Sequence, residues 1–435
     1  HGQHEHQSLT GKKMQLALLD DYAKEETQKV KAEVKKRYEE YSSILKELEE
    51  KLKINYNETQ EKAIKGALNN NITIISGGPG TGKTTIINAI VKLYIEKEKL
   101  GSADIMETIA LLAPTGRAAK KMNSSTGIPA YTIHRYLKWY KDSNEFVYNE
   151  FNKTHHKLII VDEVSMIDVD LFNALLNGIN SNIKLILVGD TFQLPSVGPG
   201  LVLNELIESD YFNYIPLNQI YRQSDNSYIP FLAKEIKNND LSEEFLTKKD
   251  DYNFVNVDSS NIKKAIMQIT NYSLSKGLDE RNVQVLAPMY KGDAGIDALN
   301  VILQNIYNPS KRNKEEVIYG DFIYREDDKV LQLVNDLDNN VFNGDIGFIE
   351  RITGNKIIID FDGNKVEYEK KDLKNIKHAY AISIHKSQGS EFMHVIMPIS
   401  TSYYKMLYNK LIYTGVSRAK KSLTLVGDPT AFQRA

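Results

Sequence analysis

Residues 76–85 read SGGPGTGKTT, a spacing of glycine, lysine and threonine that suits a nucleotide's phosphates. Glycines let backbone N–H groups approach phosphate oxygens, and the N-terminus of a following helix adds positive charge. Lys83 is expected to reach the β- and γ-phosphates, and Thr84 to bind Mg²⁺. The residues predicted to contact the nucleotide are Gly78, Pro79, Gly80, Thr81, Gly82, Lys83, Thr84 and Thr85. A strand-type run, NITIIS, precedes the loop and a helical pattern follows it, which is the context this motif requires.

Two acidic residues end another apolar run, KLIIVDE. Asp162 is predicted to hold Mg²⁺ through water, and Glu163 to orient or deprotonate the attacking water. The alternative is that both carboxylates only cap the helix that follows. Next to a phosphate-binding loop, the catalytic interpretation is favoured.

Hydrolysis also needs cations at the γ-phosphate, and Arg222 and Arg418 are the candidates. Each has an alternative as a surface or salt-bridged arginine. The catalytic interpretation is favoured by the predicted architecture, in which two α/β halves enclose a nucleotide and the second half senses it.

Apolar strand-type runs alternate with helical stretches in two separate sets, which predicts an α/β protein with two parallel sheets. The predicted strands are 71–76, 108–114, 157–163 and 184–190 in the first set, and 282–288, 378–386, 394–400 and 422–428 in the second. Residues 329–377 differ, because short alternating strands are joined there by Asn/Asp/Gly turns. This region predicts a small all-β barrel inserted in the second half.

Composition narrows the function classes. Zero cysteines exclude disulfides, thiolate zinc and iron–sulfur sites. No apolar run approaches the roughly 20 residues that span a bilayer, and no export signal is visible, so we expect a cytoplasmic protein without membrane contact. The net charge of −2 means that nucleic acid would be bound by local basic grooves rather than by a globally basic surface.

Two stretches combine basic and aromatic residues without any acid. Residues 111–141 hold six Lys/Arg together with Tyr131, Tyr136, Trp139 and Tyr140, and residues 403–421 hold five Lys/Arg and four Tyr. Cations for phosphates and aromatic faces for bases are typical of single-stranded nucleic-acid binding. The alternative is a solvated basic face above core aromatics.

The N-terminus divides into two parts. Residues 1–19 begin with HGQHEHQ, which indicates an expression tag or processing scar outside the fold. Residues 20–56 predict a helical arm with one apolar stripe, formed by Val34, Tyr38, Tyr41, Leu45, Leu48 and Leu52. The stripe fits either a short coiled coil or packing of the arm on its own domain. The stripe has fewer than three clear heptads, which favours packing on its own domain.

From residue 57 onward the chain resembles a superfamily 1 DNA helicase, most closely the bacterial RecD2-type branch. The segments that carry this resemblance, in family order, are NETQEKAI (57–64), GGPGTGKTT (77–85), APTGRAAKKM (113–122), TIHRYL (132–137), VDEVSM (161–166), VGDTFQLPSVGPG (188–200), LNQIYRQS (217–224), ISIHKSQGSEF (382–392) and YTGVSRAKK (413–421). VFNGDIGFI (341–349), beside the predicted barrel, is particularly similar to the RecD2 branch.

The resemblance implies ATP as the nucleotide, DNA as the track and 5′→3′ movement; none of these follows from spacing or composition. It implies two RecA-like P-loop domains, 1A at 57–205 and 2A at 206–328 with 378–435, and an SH3-like 2B domain at 329–377.

The resemblance also implies roles for single residues. Gln60 would contact the adenine, Gln193 would couple the γ-phosphate to the DNA site, and Glu391 would approach the ribose or the Mg²⁺ side. Arg222 and Arg418 would be arginine fingers. The implied DNA-contact residues are Pro114, Thr115, Arg117, His134, Arg135, His385 and Lys386. For each histidine the alternative is a purely structural role.

Residues 138–156 lie between two of these motifs and predict a β-hairpin (1B) with its turn at DSNE. The resemblance suggests a pin that splits the duplex. Such a pin presents a rigid apolar surface to the terminal base pair, and Trp139, Phe146 and Tyr148 are the residues predicted to form it.

We therefore expect a monomeric, ATP-dependent motor that moves on single-stranded DNA and opens forked duplexes. Two alternatives stay open: an ATP-switched single-stranded DNA clamp without net unwinding, and a motor on RNA. RecD2-type proteins carry a long region ahead of the motor, whereas only about 55 residues precede the first motif here, which indicates a trimmed or naturally compact member.

Overall fold

The computed structural model describes residues 28, 29, 32, 36 and 39–435, except 141–144, 220–226, 313, 337, 404 and 405. The expected tag at 1–19 therefore lies outside the described residues, as do Val34 and Tyr38 of the arm. None of the helices in the described part is both long and apolar enough to cross a bilayer.

The first half of the chain builds a six-stranded sheet. Its strands, with a separate two-stranded hairpin, are β1 (Ile72–Gly77), β2 (Ile109–Ala113), β3 (Ala130–Thr132), β4 (Trp139–Tyr140), β5 (Glu145–Phe146), β6 (Leu158–Val161), β7 (Lys184–Gly189) and β8 (Asn213–Leu217). The sheet order is β3-β2-β6-β7-β1-β8, and every pairing in it is parallel. β2 and β6 are buried along their whole length, because helices cover both faces of the sheet.

The helices of this half are α1 (39–52), α2 (Glu58–Asn69), α3 (Lys83–Glu98), α4 (Ser102–Thr108), α5 (Gly116–Thr126), α6 (Ile133–Tyr136), α7 (Val169–Gly178) and α8 (Val202–Glu208). In α1, the stripe residues Tyr41, Leu45 and Leu48 are buried in the core that α2 and α3 share. The Tyr41 hydroxyl donates to Leu68 O at 3.5 Å. The described part of the arm thus packs on its own unit, which was the favoured alternative.

The remaining strands are β9 (Tyr252–Asn256), β10 (Val283–Ala287), β11 (Glu316–Tyr319), β12 (Phe322–Arg325), β13 (Lys329–Gln332), β14 (Ile346–Thr353), β15 (Lys356–Phe361), β16 (Asn364–Glu369), β17 (Ile376–His378), β18 (Ala381–Ser383), β19 (Phe392–Ile399) and β20 (Ala419–Gly427). Five form a second parallel sheet in the order β18-β10-β19-β20-β9. The helices of this half are α9 (Ile229–Asn238), α10 (Ile262–Ser275), α11 (Ile296–Tyr307), α12 (Asn409–Val416) and α13 (Pro429–Gln433). The prediction of an α/β fold with two parallel sheets is confirmed.

The inserted barrel is an antiparallel sheet in the order β16-β15-β14-β13-β17, and the hairpin β11–β12 packs beside it. The barrel core contains Val317 and Tyr324 of that hairpin together with Ile349, Ile357 and Ile359. Short 3₁₀ turns complete the chain at Val164–Met166, Glu243–Leu246, Ser259–Asn261, Lys370–Asn375, His385–Ser387 and Thr401–Tyr403.

Three predicted boundaries are corrected. β8 pairs with β1, so the first unit extends to residue 217 rather than ending at 205. The β11–β12 hairpin shares the barrel core, so the barrel unit begins before residue 329. The stretch 378–386, predicted as one strand, is the end of β17, then β18, then a 3₁₀ turn. With these changes, the division into 1A, 1B, 2A and 2B stays a prediction.

A buried carboxylate joins the barrel to the second sheet. Asp328 is fully buried where the chain passes from the hairpin into the barrel, and its oxygens accept five hydrogen bonds or close polar contacts. The partners are Gln304 Nε2 (2.7 Å), Asn308 Nδ2 (2.8 Å), Arg325 N (2.7 Å), His378 Nε2 (3.2 Å) and Tyr380 OH (2.9 Å). These partners lie on or directly after α11, at the end of β12, and between the end of β17 and the start of β18. Asp328 therefore fixes how the barrel sits on its sheet.

Replacing this carboxylate tests its role. Asp328→Ala removes one acceptor from each of five polar groups, and we expect a loss of about 3 kcal/mol in the free energy of unfolding. Urea denaturation followed by circular dichroism measures it. The matched control is Asp321→Ala in the exposed turn of the same hairpin. Equal stability of the two variants would contradict the assignment.

Candidate nucleotide and nucleic-acid site

A cleft of about 670 Å³ opens between the two units, at the carboxyl ends of the first sheet's strands and at the beginning of β19 and β20 in the second. The first unit contributes the loop 78–82, the start of α3 and the residues that follow β6. The second unit contributes Glu391, Ser417, Arg418 and Lys420. Strand ends of parallel sheets are where α/β proteins bind ligands, and both units line this cleft.

The loop between β1 and α3 has the geometry that phosphate binding requires. Gly82 adopts φ +85°, and a side chain there would also lie 2.6 Å from Gln60 Nε2. Gln60 is held by a capping box with Asn57 at the start of α2 and is buried against the loop. Lys83 donates to Gly77 O (2.5 Å) and Gly78 O (3.0 Å), so its ammonium lies at the loop.

Most of the predicted nucleotide residues line this cleft. They are Gly78, Pro79, Gly80, Thr81, Gly82, Lys83, Thr84, Asp162, Glu163, Gln193, Glu391 and Arg418. Gln60 lies next to the loop, and Thr85 lies on α3 outside the described cleft lining. Arg222 lies outside the described residues, so its predicted role is not addressed by the structure.

Asp162 and Glu163 follow the buried strand β6. Burial, and then the charge of Glu163, raise the pKa of Asp162 to about 6, and its Oδ1 accepts from Glu163 N at 2.8 Å. Glu163 adopts φ +54°, a left-handed conformation that costs energy for a residue with a side chain. Strained backbone of this kind persists where the surrounding fold enforces it, commonly at functional sites.

A hydrogen-bond chain crosses the cleft beside Gln193. Gln193 Nε2 donates to Asp190 Oδ2 at 3.4 Å, and the same oxygen accepts from the Tyr413 hydroxyl at 2.8 Å. Leu194 N donates to Thr414 Oγ1 at 3.0 Å. Asp190 and Leu194 belong to the first unit and the α12 residues to the second, so these bonds join the two halves directly.

Arg418 is buried at the end of α12. Its guanidinium donates to Ser390 O (3.1 Å) and Thr414 O (3.2 Å), and Nη2 donates to Ser417 Oγ (3.1 Å). These acceptors are neutral oxygens that orient the side chain within the cleft wall. The surface-arginine alternative therefore does not hold for Arg418.

Glu391 sits between two lysines of different units. Its carboxylate contacts Lys121 of α5 at 2.7 Å and Lys420 of β20 at 3.3 Å. Burial raises the pKa of Glu391, but the charges of Lys121, Lys420 and Arg418 outweigh it and lower the pKa to about 2. The neighbouring lysines and Arg418 thus stabilise Glu391 as an anion.

The cleft residues fit a nucleotide with a divalent cation. Glu163 Oε2 and Gln193 Oε1 are buried, and neither has a hydrogen-bond partner among the described residues. Buried polar atoms without partners are rare, and a ligand is one explanation for them. Thr84 and Asp162 offer the hydroxyl and carboxylate oxygens that Mg²⁺ prefers, and the cleft volume is within the range of small-molecule sites.

The predicted DNA-contact residues lie on both units. Pro114 and Thr115 lie between β2 and α5, where the Thr115 hydroxyl accepts from Ala118 N. His385 and Lys386 lie in the 3₁₀ turn after β18. A side chain at Gly389 would lie 2.8 Å from Thr115 Oγ1, so the two groups meet across the interface. The structure brings these sets together, and their DNA role stays a prediction.

Arg117 is placed differently from the other predicted DNA contacts. Its Nη1 donates to Ser390 Oγ at 2.6 Å, and burial lowers its pKa to about 10. The side chain therefore points into the space between α5, the barrel and residues 389–392. We place Arg117 in the wall of that cavity and not on the surface that His385 and Lys386 share.

The barrel extends a loop, residues 339–345, over the predicted DNA contacts. This barrel loop makes three polar contacts with them or with α5, namely Arg135 Nη1 to Asn340 Oδ1 (2.6 Å), Lys386 Nζ to Asn343 Oδ1 (2.6 Å) and Lys120 Nζ to Asp345 Oδ2 (3.4 Å). Phe342 packs so closely on Gly116 that a side chain there would clash at 2.4 Å. Sequence reasoning noted this loop only through its similarity to one branch, and missed these contacts.

The predicted hairpin is present, with Trp139 opposite Phe146 and Tyr140 opposite Glu145. Of the predicted turn DSNE (142–145), only Glu145 belongs to the described residues. The rings of Trp139 and Phe146 are 4.5 Å apart and both contact His134.

The pin residues named from the sequence point inward. Trp139, Phe146 and Tyr148 are half-buried, and Phe146 and Tyr148 pack on the core beneath the hairpin. The exposed aromatic rings are those of Tyr140 (62% exposed) and Phe151 (90%). Phe151 is held outward by a tight turn, in which Asn149 Oδ1 accepts from Phe151 N at 3.0 Å and from Asn152 N at 3.3 Å. Among the described residues of 138–156, the aromatic side chains most open to solvent are therefore Tyr140 and Phe151, and a pin role stays a prediction.

The basic and aromatic stretches are also corrected in part. Three of these tyrosines, Tyr136, Tyr403 and Tyr413, are buried, and the hydroxyl of each donates a hydrogen bond to an acceptor inside the protein. None of the three therefore exposes its ring for stacking on a base. Tyr131 is covered by Arg135 at 5.5 Å. Residue type alone did not separate core tyrosines from exposed ones.

Three family models match the chain. The AAA domain matches residues 60–199, the ATP-dependent RecD-like DNA helicase SH3 domain matches residues 299–361, and the UvrD-like helicase C-terminal domain matches residues 378–426. The second match includes α11 and the β11–β12 hairpin, in agreement with the enlarged barrel unit.

Two curated proteins illustrate the sequence similarity. The ATP-dependent RecD2 DNA helicase of Deinococcus radiodurans is 32% identical over 87% of this chain, which spans 50% of that protein's length. The RecBCD enzyme subunit RecD of Buchnera aphidicola is 30% identical over 86% of this chain and 72% of its own length.

Solved structures with the same fold include Pif1 helicase from Candida albicans, with a TM-score of 0.52 and 18% identity, covering 86% of this chain and 95% of that one. Bacteroides Pif1 bound to single-stranded DNA gives a TM-score of 0.51, again at 18% identity, and covers 86% of this chain and 92% of that one.

The contact between Gly78 and Tyr413 gives a test of the cleft. A methyl group at Gly78 would lie 2.8 Å from the Tyr413 hydroxyl, at the end of a rigid buried ring. Because overpacking of this kind costs about 1–3 kcal/mol, we expect Gly78→Ala to weaken ATP binding roughly tenfold. Fluorescence titration with a labelled nucleotide measures it.

The second variant of this test separates the clash from a general defect of the loop. Tyr413→Phe alone is the reference, because it removes the obstructing oxygen and also loses the hydrogen bond to Asp190. Without that oxygen Gly78→Ala meets no clash, so the double variant should bind ATP as Tyr413→Phe does. If Gly78→Ala weakens binding as much in the Tyr413→Phe background as in the parent, the clash is not the cause.

Proposed function

The chain belongs to the RecD-like family of DNA helicases, and from that premise we propose that it is an ATP-dependent motor that moves on single-stranded DNA and unwinds duplex DNA. The observation that carries the proposal is the shared cleft. Lys83, Asp162 and Glu163 come from one unit and Arg418 from the other. Candidate DNA contacts also occur on both units, and Thr115 of the first lies against Gly389 of the second. A nucleotide bound there would touch both halves, so binding and hydrolysis would change how they sit together.

In this proposal, the cleft residues divide the chemical work. Lys83 binds the β- and γ-phosphates, and Arg418 stabilises the charge that develops on the γ-phosphate. Thr84 and Asp162 hold Mg²⁺, which neutralises phosphate charge when bound. Burial and the charge of Glu163 raise the pKa of Asp162, and a bound cation would stabilise its anionic form.

Glu163 orients the attacking water and accepts its proton. Its Oε2 is buried and has no hydrogen-bond partner among the described residues, which leaves that oxygen available to a water molecule. The strained φ of +54° supports the same role, because it fixes the carboxylate relative to the loop instead of leaving it in solvent.

Coupling runs through Gln193 and Asp190 to Tyr413. Gln193 lines the cleft with a buried amide oxygen, and Asp190 links its amide to the second unit. A change at the γ-phosphate is therefore transmitted to α12. Arg418 follows α12 directly in the chain. The 3₁₀ turn with His385 and Lys386 belongs to the same unit.

The strand path in this proposal passes Thr115, Arg135, His385 and Lys386, beneath the barrel loop. We propose 5′→3′ movement along it, an assignment that rests on family membership. Tyr140 and Phe151 present the aromatic surface that meets the terminal base pair at a fork.

The first test compares ATP turnover with and without single-stranded DNA, beside strand separation on duplexes with a 5′ or a 3′ overhang. We expect DNA to raise turnover about tenfold or more, because a strand bound to both units favours the closed cleft. Unwinding is expected from the 5′ overhang only. Lys83→Ala is the control for contaminating activity.

Other results of that test point elsewhere. Stimulation by DNA without unwinding of either duplex would favour an ATP-switched clamp. Stimulation by RNA but not by DNA would assign the track to RNA. An ATP turnover rate that neither DNA nor RNA raises would contradict the proposal.

The second test addresses the pin. Tyr140→Ala together with Phe151→Ala removes both exposed rings, and since base–aromatic stacking contributes about 1–3 kcal/mol, unwinding should slow roughly tenfold. ATP turnover on single-stranded DNA should stay within about twofold of the parent, because neither ring touches the cleft. The matched control is Phe231→Ala, an exposed aromatic on α9. Equal unwinding by the pin variant and the control would dismiss these residues as the wedge.

A further inference from the structure

A second cavity, of about 400 Å³, adjoins the nucleotide cleft. Its walls come from three parts of the fold: α5, the barrel strands near Phe348, and residues 389–392 of the second unit. It shares Lys121, Glu391 and Lys420 with the cleft, so these three side chains form the partition between the two spaces.

The described lining of this cavity is strongly basic. It holds six cationic side chains, Arg117, Lys120, Lys121, Arg281, Lys329 and Lys420, against the carboxylates of Asp362 and Glu391. Glu391 is engaged by Lys121 and Lys420 together, and Lys120 contacts Asp345 of the barrel loop. The partition is therefore a triad of one carboxylate and two ammonium groups. The remaining cationic side chains lie on the cavity side of this partition, away from the nucleotide cleft.

That excess centres on Arg117 and Lys329. Arg117 donates to a serine hydroxyl, and Lys329 donates to the carbonyls of Glu280 (2.6 Å) and Val283 (3.3 Å). Burial and the charge of Arg117 lower the pKa of Lys329 to about 7, although Glu280 and Asp279 oppose this, and burial lowers that of Arg117 to about 10. Burial disfavours the charged form of both groups, and an anion bound in the cavity would stabilise both charges.

Arg281 completes the outer wall. Its guanidinium stacks on the Phe348 ring at 4.0 Å, an arrangement that holds the planar donor group toward the cavity while leaving its N–H groups available. Guanidinium and ammonium donors arranged around an open space are the chemistry that recognises phosphate.

We propose that this cavity is a binding site for a phosphate-class anion. Two sources share that chemistry: the inorganic phosphate produced in the adjoining cleft, which would pass the Lys121–Glu391–Lys420 partition, and phosphate that enters from solution. The first source rests on the proposed function, whereas the site itself does not.

The binding test uses the full chain with its nucleotide cleft filled by a non-hydrolysable ATP analogue and Mg²⁺. Inorganic phosphate is then titrated calorimetrically. We expect one phosphate per chain, bound about tenfold more weakly by Arg281→Gln and by Lys329→Met. Neither residue lines the nucleotide cleft. Lys356→Gln, an exposed lysine of the barrel, is the matched control.

Lys329 is buried, so Lys329→Met can harm folding. Arg281 is exposed and its replacement leaves the core intact, so Arg281→Gln keeps the test decisive in that case. Absence of phosphate binding in the parent chain, or equal binding by Arg281→Gln and the control, overturns the proposal. Phosphate binding in a chain that does not hydrolyse ATP would uphold the site and reject the proposed function, so the two failures are distinguishable.

A single-turnover experiment identifies the source. A fluorescent phosphate sensor follows release, and chemical quenching follows hydrolysis in the same reaction. If the product phosphate passes through the cavity, Arg281→Gln should delay release relative to hydrolysis about fivefold without changing hydrolysis. Unchanged release together with weakened binding assigns the site to phosphate from solution.

Discussion

The hydrogen bond from the Tyr413 hydroxyl to Asp190 is the contact on which the arrangement of the two halves depends. It is 2.8 Å long, buried, and joins residues 223 positions apart in the chain. Tyr413 also lies against Gly78 of the phosphate-binding loop, and Asp190 contacts Gln193 in the cleft. One tyrosine of the second unit thus touches both the phosphate-binding loop and the coupling segment, so a displacement of any of the three changes its contacts with the other two.

The barrel enters this arrangement through a rigid attachment. Asp328 binds the barrel to its own sheet from one side, and the barrel loop contacts α5 and Arg135 of the other unit. The barrel is therefore fixed to the second half and rests on the first. Any relative movement of the halves is carried to the barrel loop, which lies over the candidate DNA contacts.

Strands could be predicted from the sequence where both faces of the strand are buried, and were missed where the strand lies at the edge of a sheet. β1, β2 and β6 are buried on both faces, so their apolar runs were recognisable. The missed strands β3, β8 and β9 are all sheet edges, where one side meets solvent and the apolar signal is broken; β8 even contains Pro216.

The site was predictable in its parts but not in its connections. Lys83, Asp162 and Glu163 occupy motifs whose spacing is set by local backbone geometry, so their meeting in one cleft followed from the strand order. The bonds of Tyr413, Arg117 and the barrel loop join segments that only the folded chain brings together, and no local pattern encodes them. For the same reason the inward packing of Trp139 and Phe146 could not be told from an outward one.

The chain contains a single tryptophan, and it is Trp139. All tryptophan emission therefore originates in the hairpin, from an indole 4.5 Å from the Phe146 ring and edge-on to His134. His134 is a candidate DNA contact, and the hairpin carries the exposed Tyr140. The molecule thus holds its own spectroscopic probe at the point where a nucleic-acid strand would arrive, and ligand binding there can be followed without attaching a dye.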